Sequence, residues 1–167
     1  MWNAKTGHFM RTENIPTGLS VSRPWVWTVA FSPQHVLVAS ISKLVLVRIS
    51  NMSTGTTLEL SDHKDSVLCV AFSSRRDMVA TSSADKFVRL WSVATGALLQ
   101  NLSGHSDWVR CVAFSDDDSM VASRSDNNTI LVWHLSNYNL GATLQGHKRA
   151  IRTLIFSYDI MLLTSAS

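Results

Sequence analysis

An all-β chain assembled from a repeated unit is the fold class this sequence predicts, and three observations predict it. The first is local. Between Gly104 and His147, the runs WVRCVAF, MVAS and TILVW, with a weaker fourth at ATL, alternate with clusters of Ser, Asp, Asn and Gly. Short runs rich in Val, Ile, Phe and Trp, bounded by turn formers, are the pattern of brief strands joined by tight turns. The second is the lack of a competitor: no window of similar length places apolar residues at helical spacing between two caps. The third is periodic. His63, His105 and His147 are spaced by 42 and 42, and Phe31, Phe72, Phe114 and Phe156 by 41, 42 and 42. Trp91 and Trp133 are 42 apart, as are Cys69 and Cys111. A fixed period of this size marks one supersecondary unit repeated along the chain.

With Gly-His early in the unit and Trp late, the repeat resembles the WD-repeat family across nearly the whole chain. The resemblance implies a segment of a β-propeller, one domain over 1–167 with three full four-stranded blades and partial blades at both ends. Residues 1–13 match the end of a later copy, Trp2 falling on Trp91 and Thr6-Gly7 on Thr95-Gly96, and are expected to be the tail of a preceding blade. The following ENIPTGLSVSRP, with two prolines and no apolar alternation, reads as a loop. Blade one spans 25–60 and is degenerate. Its third run, LVLVRI, is expected two residues early through a deletion in the tight turn, with Arg48 where Trp91 stands in the next copy. Blade two, 63–102, is the most regular. Blade three, 105–144, is expected to have an outer turn enlarged by Asn137-Tyr138-Asn139. Residues 147–167 supply AIRTLIFS and MLLTSAS, the first two strands of a fourth blade. With no third strand to join the two ends, the chain is expected to be part of a larger propeller and, made alone, to self-associate or remain only partly ordered.

A chain of 167 residues is long enough to bury a core as one domain. Charged residues make up only 16%, which suits blades buried on both faces, and the net charge of +3 gives little push towards nucleic acid or anionic lipid. No run of eighteen apolar residues and no basic, apolar leader is present, so no membrane association is expected and the expected compartment is the cytoplasm, with the nucleus as the alternative. Cys69 and Cys111 take the same place in successive copies. They are expected to be held apart by neighbouring blades and to pack as small hydrophobes, which argues against a disulfide or a two-cysteine metal site.

Histidine, hydroxyl and carboxylate together are the ingredients of acyl transfer. The interval of 18 from His63 to Thr81 recurs from His105 to Ser123 and from His147 to Ser165. An enzyme needs one such site, whereas a repeat places one in every unit. The family resemblance implies instead a buried hydrogen-bond network of His63, Thr81, Asp85 and Trp91, and of His105, Ser123, Asn127 and Trp133, with His147 and Ser165 beginning a third. Asn127 in place of an aspartate removes a charge-assisted bond to histidine and should weaken the second network. The repeated histidines sit one per blade and do not converge on a metal, while His8, His35 and His134 are isolated. No Cys-x-x-Cys, Gly-rich phosphate loop or His-Glu-x-x-His occurs, and neither metal nor cofactor is expected. The acidic Asp116-Asp117-Asp118 reads as a solvated turn.

The resemblance also implies a partner-binding rim at three positions per copy: Trp25 and Trp27; Ser66, Leu68 and Ala84; Trp108, Arg110 and Asp126; Ala150 and Arg152. Tryptophan and arginine dominate interface energetics. The expected function is a non-catalytic scaffold that holds a protein or peptide. The alternatives are a nucleic-acid-binding propeller using the Trp/Arg rim, against which the mild charge argues, and last a hydrolase. Motifs such as LxGHSDWVRCVAFSDD resemble the C-terminal arrays of fungal and bacterial NACHT-type signalling NTPases. That likeness implies further WD repeats or an NTPase domain in the parent protein.

Overall fold

Fourteen strands are present in a computed structural model that describes residues 26–32, 37–42, 45–75, 77–146, 153–156 and 163–166. The first four, β1 (Val26–Phe31), β2 (Leu37–Ser42), β3 (Val47–Asn51) and β4 (Thr57–Leu60), form one antiparallel sheet in chain order. β5 (Val67–Phe72), β6 (Met78–Ser83), β7 (Val88–Ser92) and β8 (Leu98–Leu102) form a second. β9 (Val109–Phe114), β10 (Met120–Ser125), β11 (Thr129–His134) and β12 (Leu140–Gln145) form a third, and β13 (Thr153–Phe156) pairs with β14 (Leu163–Ala166). The expected all-β blades are observed as three four-stranded sheets and one further strand pair. The expected tail at 1–13 and the loop before Trp25 lie outside the described residues.

The sheets stack because their strands are apolar on both faces. Successive side chains on a strand point to opposite faces, and β6 and β7 are buried almost throughout. Val79 and Trp91, a cross-strand pair, face the first sheet and pack with Ile49, Leu60 and Val67. Ala80 and Leu90, the next pair, face the third sheet and pack with Val109, Val121 and Trp133. The third sheet turns Ala122, Ile130 and Val132 towards Leu154 of β13. Each large aliphatic or aromatic side chain so buried contributes about 1.5–3 kcal/mol. The first strands gather side by side: β1 touches β5, β5 touches β9, and β9 touches β13.

Two details depart from the sequence expectation. In blade one, β3 begins only at Val47, and the ladder pairs Ser40 with Arg48 and Val38 with Ser50. In blade two the ladder pairs Thr81 with Arg89 and Val79 with Trp91. Ser50, not Arg48, therefore stands where Trp91 stands, and no turn residues are deleted. The early apolar run misled because Val45 and Leu46 precede the strand. In blade three the outer turn is not enlarged either. His134 N–H donates to the Asn139 carbonyl at 3.0 Å, as Ser92 N–H donates to Ala97 at 2.9 Å. Tyr138 takes the left-handed conformation (φ 59°) that Gly96 takes in blade two (φ 71°), so one turn geometry serves two compositions.

Candidate functional site

Blade two holds a continuous polar chain inside the sheet. Trp91 Nε1–H donates to Thr81 Oγ1 at 2.8 Å, and the Thr81 hydroxyl lies 2.6 Å from His63 Nε2. His63 Nδ1 lies 2.9 Å from Asp85 Oδ2. With the proton on Nδ1, the ring donates to the carboxylate while Nε2 accepts from the threonine. Burial holds the His63 imidazole below its ordinary value even though Asp85 pulls the other way. Burial alone would raise the Asp85 carboxyl. Hydrogen bonds from His63, the Lys64 N–H and Arg89 outweigh it and hold the group well below the usual carboxylate range.

Arg89 was not singled out by its sequence position, yet it is buried in this chain. Its Nη1 donates to Asp85 Oδ2 at 2.6 Å and contacts His63 Nδ1, and its Nε faces Asp62 at 3.3 Å. The only hint was arginine inside an apolar strand, FVRLW.

Blade three repeats the design with one insertion. His105 Nε2 lies 2.7 Å from Ser123 Oγ, and the Trp133 ring stands edge-on to the imidazole at 6.1 Å. Asn127 offers the histidine only a neutral amide, which opposes burial without offsetting it, and Thr129 enters beside it. Thr129 Oγ1 lies 3.3 Å from His105 Nδ1 and donates to Asn127 Oδ1 at 2.7 Å. A neutral hydroxyl thus bridges the gap left by the missing carboxylate. Burial, unopposed by a carboxylate, lowers His105 to about 4.

This geometry cannot serve as a hydrolytic triad. Thr81 is 0% exposed and His63 3% exposed, so no substrate reaches the hydroxyl. Among the described residues, no group of three or more His, Cys, Asp or Glu is placed to hold a metal ion, and no helix is long and apolar enough to cross a membrane. His147 lies outside the described residues, and of Ser165 only the strand pairing with Leu154 is described.

The rim is built by a bulge repeated in the first strand of each four-stranded sheet. The ladder skips Trp27 between Val26 and Thr28, Leu68 between Val67 and Cys69, and Arg110 between Val109 and Cys111. An unpaired residue bends its strand and re-aims its side chain. The loops beside the bulges are equivalent as well: Ala84 N–H donates to the Ser66 carbonyl at 2.9 Å, and Asp126 N–H to that of Trp108 at 3.0 Å. In blade three the side chains interlock. Trp108 is 44% exposed, Arg110 stacks over its ring at 4.7 Å, and Asp126 Oδ2 accepts from Arg110 Nε and Nη2 at 2.9 and 2.7 Å. Asp126 raises the Arg110 guanidinium further above its ordinary value. In blade two Ser66 is exposed and Leu68 half-buried, but Ala84, expected on the rim, is 5% exposed. Its side chain turns inward and only its backbone shapes the edge. Trp25, Ala150, Arg152 and the side chain of Trp27 lie outside the described residues.

Two further expectations are overturned. Asp118 is no solvated turn residue: it is 0% exposed, and its carboxylate accepts from Ser74 N–H at 2.9 Å and Arg75 N–H at 2.6 Å in the neighbouring sheet. Its left-handed backbone (φ 55°) turns the side chain inward, towards the Ser74 and Arg75 N–H groups of the adjacent loop. Nor are Cys69 and Cys111 held apart. Their Sγ atoms are 4.0 Å from each other, because the first strands of adjacent sheets lie side by side.

Comparison with known families gives a match over the same stretch of chain. The family model described as WD domain, G-beta repeat matches residues 54–92 and 96–134. Each match covers the outer strand of one sheet and the first three strands of the next, so the sequence repeat and the blade are offset by one strand. The chain thus carries two WD40 repeats, folded as blades of the propeller type.

Proposed function

We propose that this chain is a non-catalytic recognition module whose bulged rim holds a protein or peptide. WD40 repeats generally mediate protein–protein interaction, which supports the reading at the level of class. The observation that carries the rim assignment is the Trp108–Arg110–Asp126 cluster. The same bulge and the same backbone bond occur in blade two, yet of these two blades it is blade three that fills them with an exposed indole, a stacked guanidinium and a carboxylate. A fixed aromatic surface edged by a pre-oriented cation makes an interface anchor, because little side-chain freedom remains to be lost on binding. The paired Arg110 also argues against nucleic acid, since its charge is already offset by Asp126. The finer reading, a cytoplasmic array attached to a NACHT-type signalling NTPase, rests on the likeness of the blade-three motif alone.

The test is partner recovery by affinity capture and mass spectrometry with wild-type and W108A/R110A baits. Loss of the same proteins from the double variant, at an unchanged melting temperature, is the expected result. Equal recovery by both baits would refute the rim.

A further inference from the structure

Cys69 on β5 and Cys111 on β9 each follow the bulge of a first strand, and both are half-buried. Their sulfurs stand 4.0 Å apart across the boundary between two sheets. Both also approach one acceptor, the Val112 carbonyl oxygen, at 3.9 Å. Arg124 lies opposite Cys111 on β10, and its positive charge favours the thiolate at both sulfurs. None of these atoms belongs to the rim or to the histidine networks. We propose that Cys69 and Cys111 form a redox-active dithiol, which a hydroperoxide converts into a disulfide joining blades two and three.

The two sulfurs have different parts. The neighbouring Cys111 sulfur lowers Cys69 to about 7 against the opposing effect of burial, and the Arg124 charge adds to the lowering. The same partner, together with burial, pushes Cys111 up. Cys69 is therefore the thiolate near neutral pH and Cys111 the protonated reserve. In the first step the Cys69 thiolate attacks one oxygen of the hydroperoxide. The O–O bond breaks, Cys69 becomes a sulfenic acid, and the leaving oxygen departs as hydroxide or alkoxide and takes up a proton from solvent. In the second step the Cys111 sulfur attacks the Cys69 sulfur. The S–S bond forms, the S–O bond breaks, and the hydroxyl leaves as water with the Cys111 proton. Two electrons pass from the pair of sulfurs to the peroxide. The sulfurs must close from 4.0 Å to about 2.05 Å. The product ties positions 42 residues apart in sequence and locks one blade to the next.

The experiment treats the full 167-residue chain with hydrogen peroxide and maps its peptides without reduction. Expected is loss of two hydrogens and a single linked pair of peptides, one with Cys69 and one with Cys111, reversed by a thiol reductant. In Cys111→Ser, Cys69 should accumulate as a sulfenic acid captured by a 1,3-dicarbonyl trap. In Cys69→Ser, the remaining thiol should be captured at least about tenfold more slowly. Disulfides between chains, independent over-oxidation of the two sulfurs, no reaction, or equal trapping in both variants would overturn the proposal. The wild-type map decides by itself if a serine variant fails to fold.

Discussion

His63 is surrounded by partners that only a folded blade supplies: Thr81 and Asp85 hydrogen-bond its two nitrogens, and Trp91 stands over it at 6.1 Å. His63→Ala leaves a buried hydroxyl and a buried carboxylate short of a partner. The expected cost is about 1–3 kcal/mol in urea unfolding. His134→Ala, at an exposed site, should stay within about 0.5 kcal/mol of the wild type. Equal midpoints for the two variants would contradict the network. His105 gives a pH signature. Its imidazole is held at about 4 in the folded chain, whereas an unfolded histidine titrates near 6.5. Acid therefore protonates the unfolded chain first. The stability tied to the neutral ring is complete above about pH 6.5 and is lost as pH falls towards about 4, a change of roughly 2–3 kcal/mol. The stability gap between wild type and His105→Asn should narrow over that window, as read from urea midpoints. A constant gap would place the lowering elsewhere. The spacing of 18 made histidine and hydroxyl legible in the sequence, because a repeat shows them twice. Arg89 and Thr129 were not legible. Among the described residues each joins a histidine network in one copy only: Arg48, at the Arg89 position of blade one, pairs with Glu59 instead.

At the scale of strands and turns, the repeat made the number of strands and their order readable, while register was readable only where a motif anchored it. Blade two, anchored by Trp91, was placed in register. Blade one, with Ser50 in that position, was shifted by its apolar run. The bulges at Trp27, Leu68 and Arg110 left no mark in composition, since an unpaired residue is defined by the neighbouring strand. Asp118 shows the same limit: three consecutive aspartates look alike, but only one turns inward. Its carboxylate caps two N–H groups of the adjacent blade and ties a turn of sheet three to a loop of sheet two. Asp118→Ala removes both bonds and leaves those donors without that partner. A loss of about 1–3 kcal/mol is expected by urea unfolding. Asp117→Ala, confined to its own turn by bonds from Ser115 and Ser119, should cost less. A reversed ranking would show that the cross-blade cap is not what holds the loop.

At the scale of the molecule, three four-stranded sheets and the β13–β14 pair stack through buried apolar clusters, while apolar side chains of β1 and β13 are exposed. Phe31 of β1 is 64% exposed and Ile155 of β13 is 61% exposed. Such surfaces favour association, so the isolated chain is expected to self-associate as concentration rises, and light scattering should show a growing mean mass. Phe31→Lys should reduce it, and a concentration-independent monomer would contradict the expectation. Under the proposed function the same architecture separates stability from recognition: buried polar networks and cross-blade caps hold the blades, and the bulged positions, which differ between copies, are left to bind. That separation is tested most directly by measuring melting temperature and partner recovery together, for His63→Ala and for W108A/R110A. The expected result is a crossed pattern. His63→Ala should melt earlier but, below its transition, recover the partner, and W108A/R110A should melt as wild type does without recovering it. If the rim variant melts early, or retains its partners, the rim is part of the scaffold and the account is wrong.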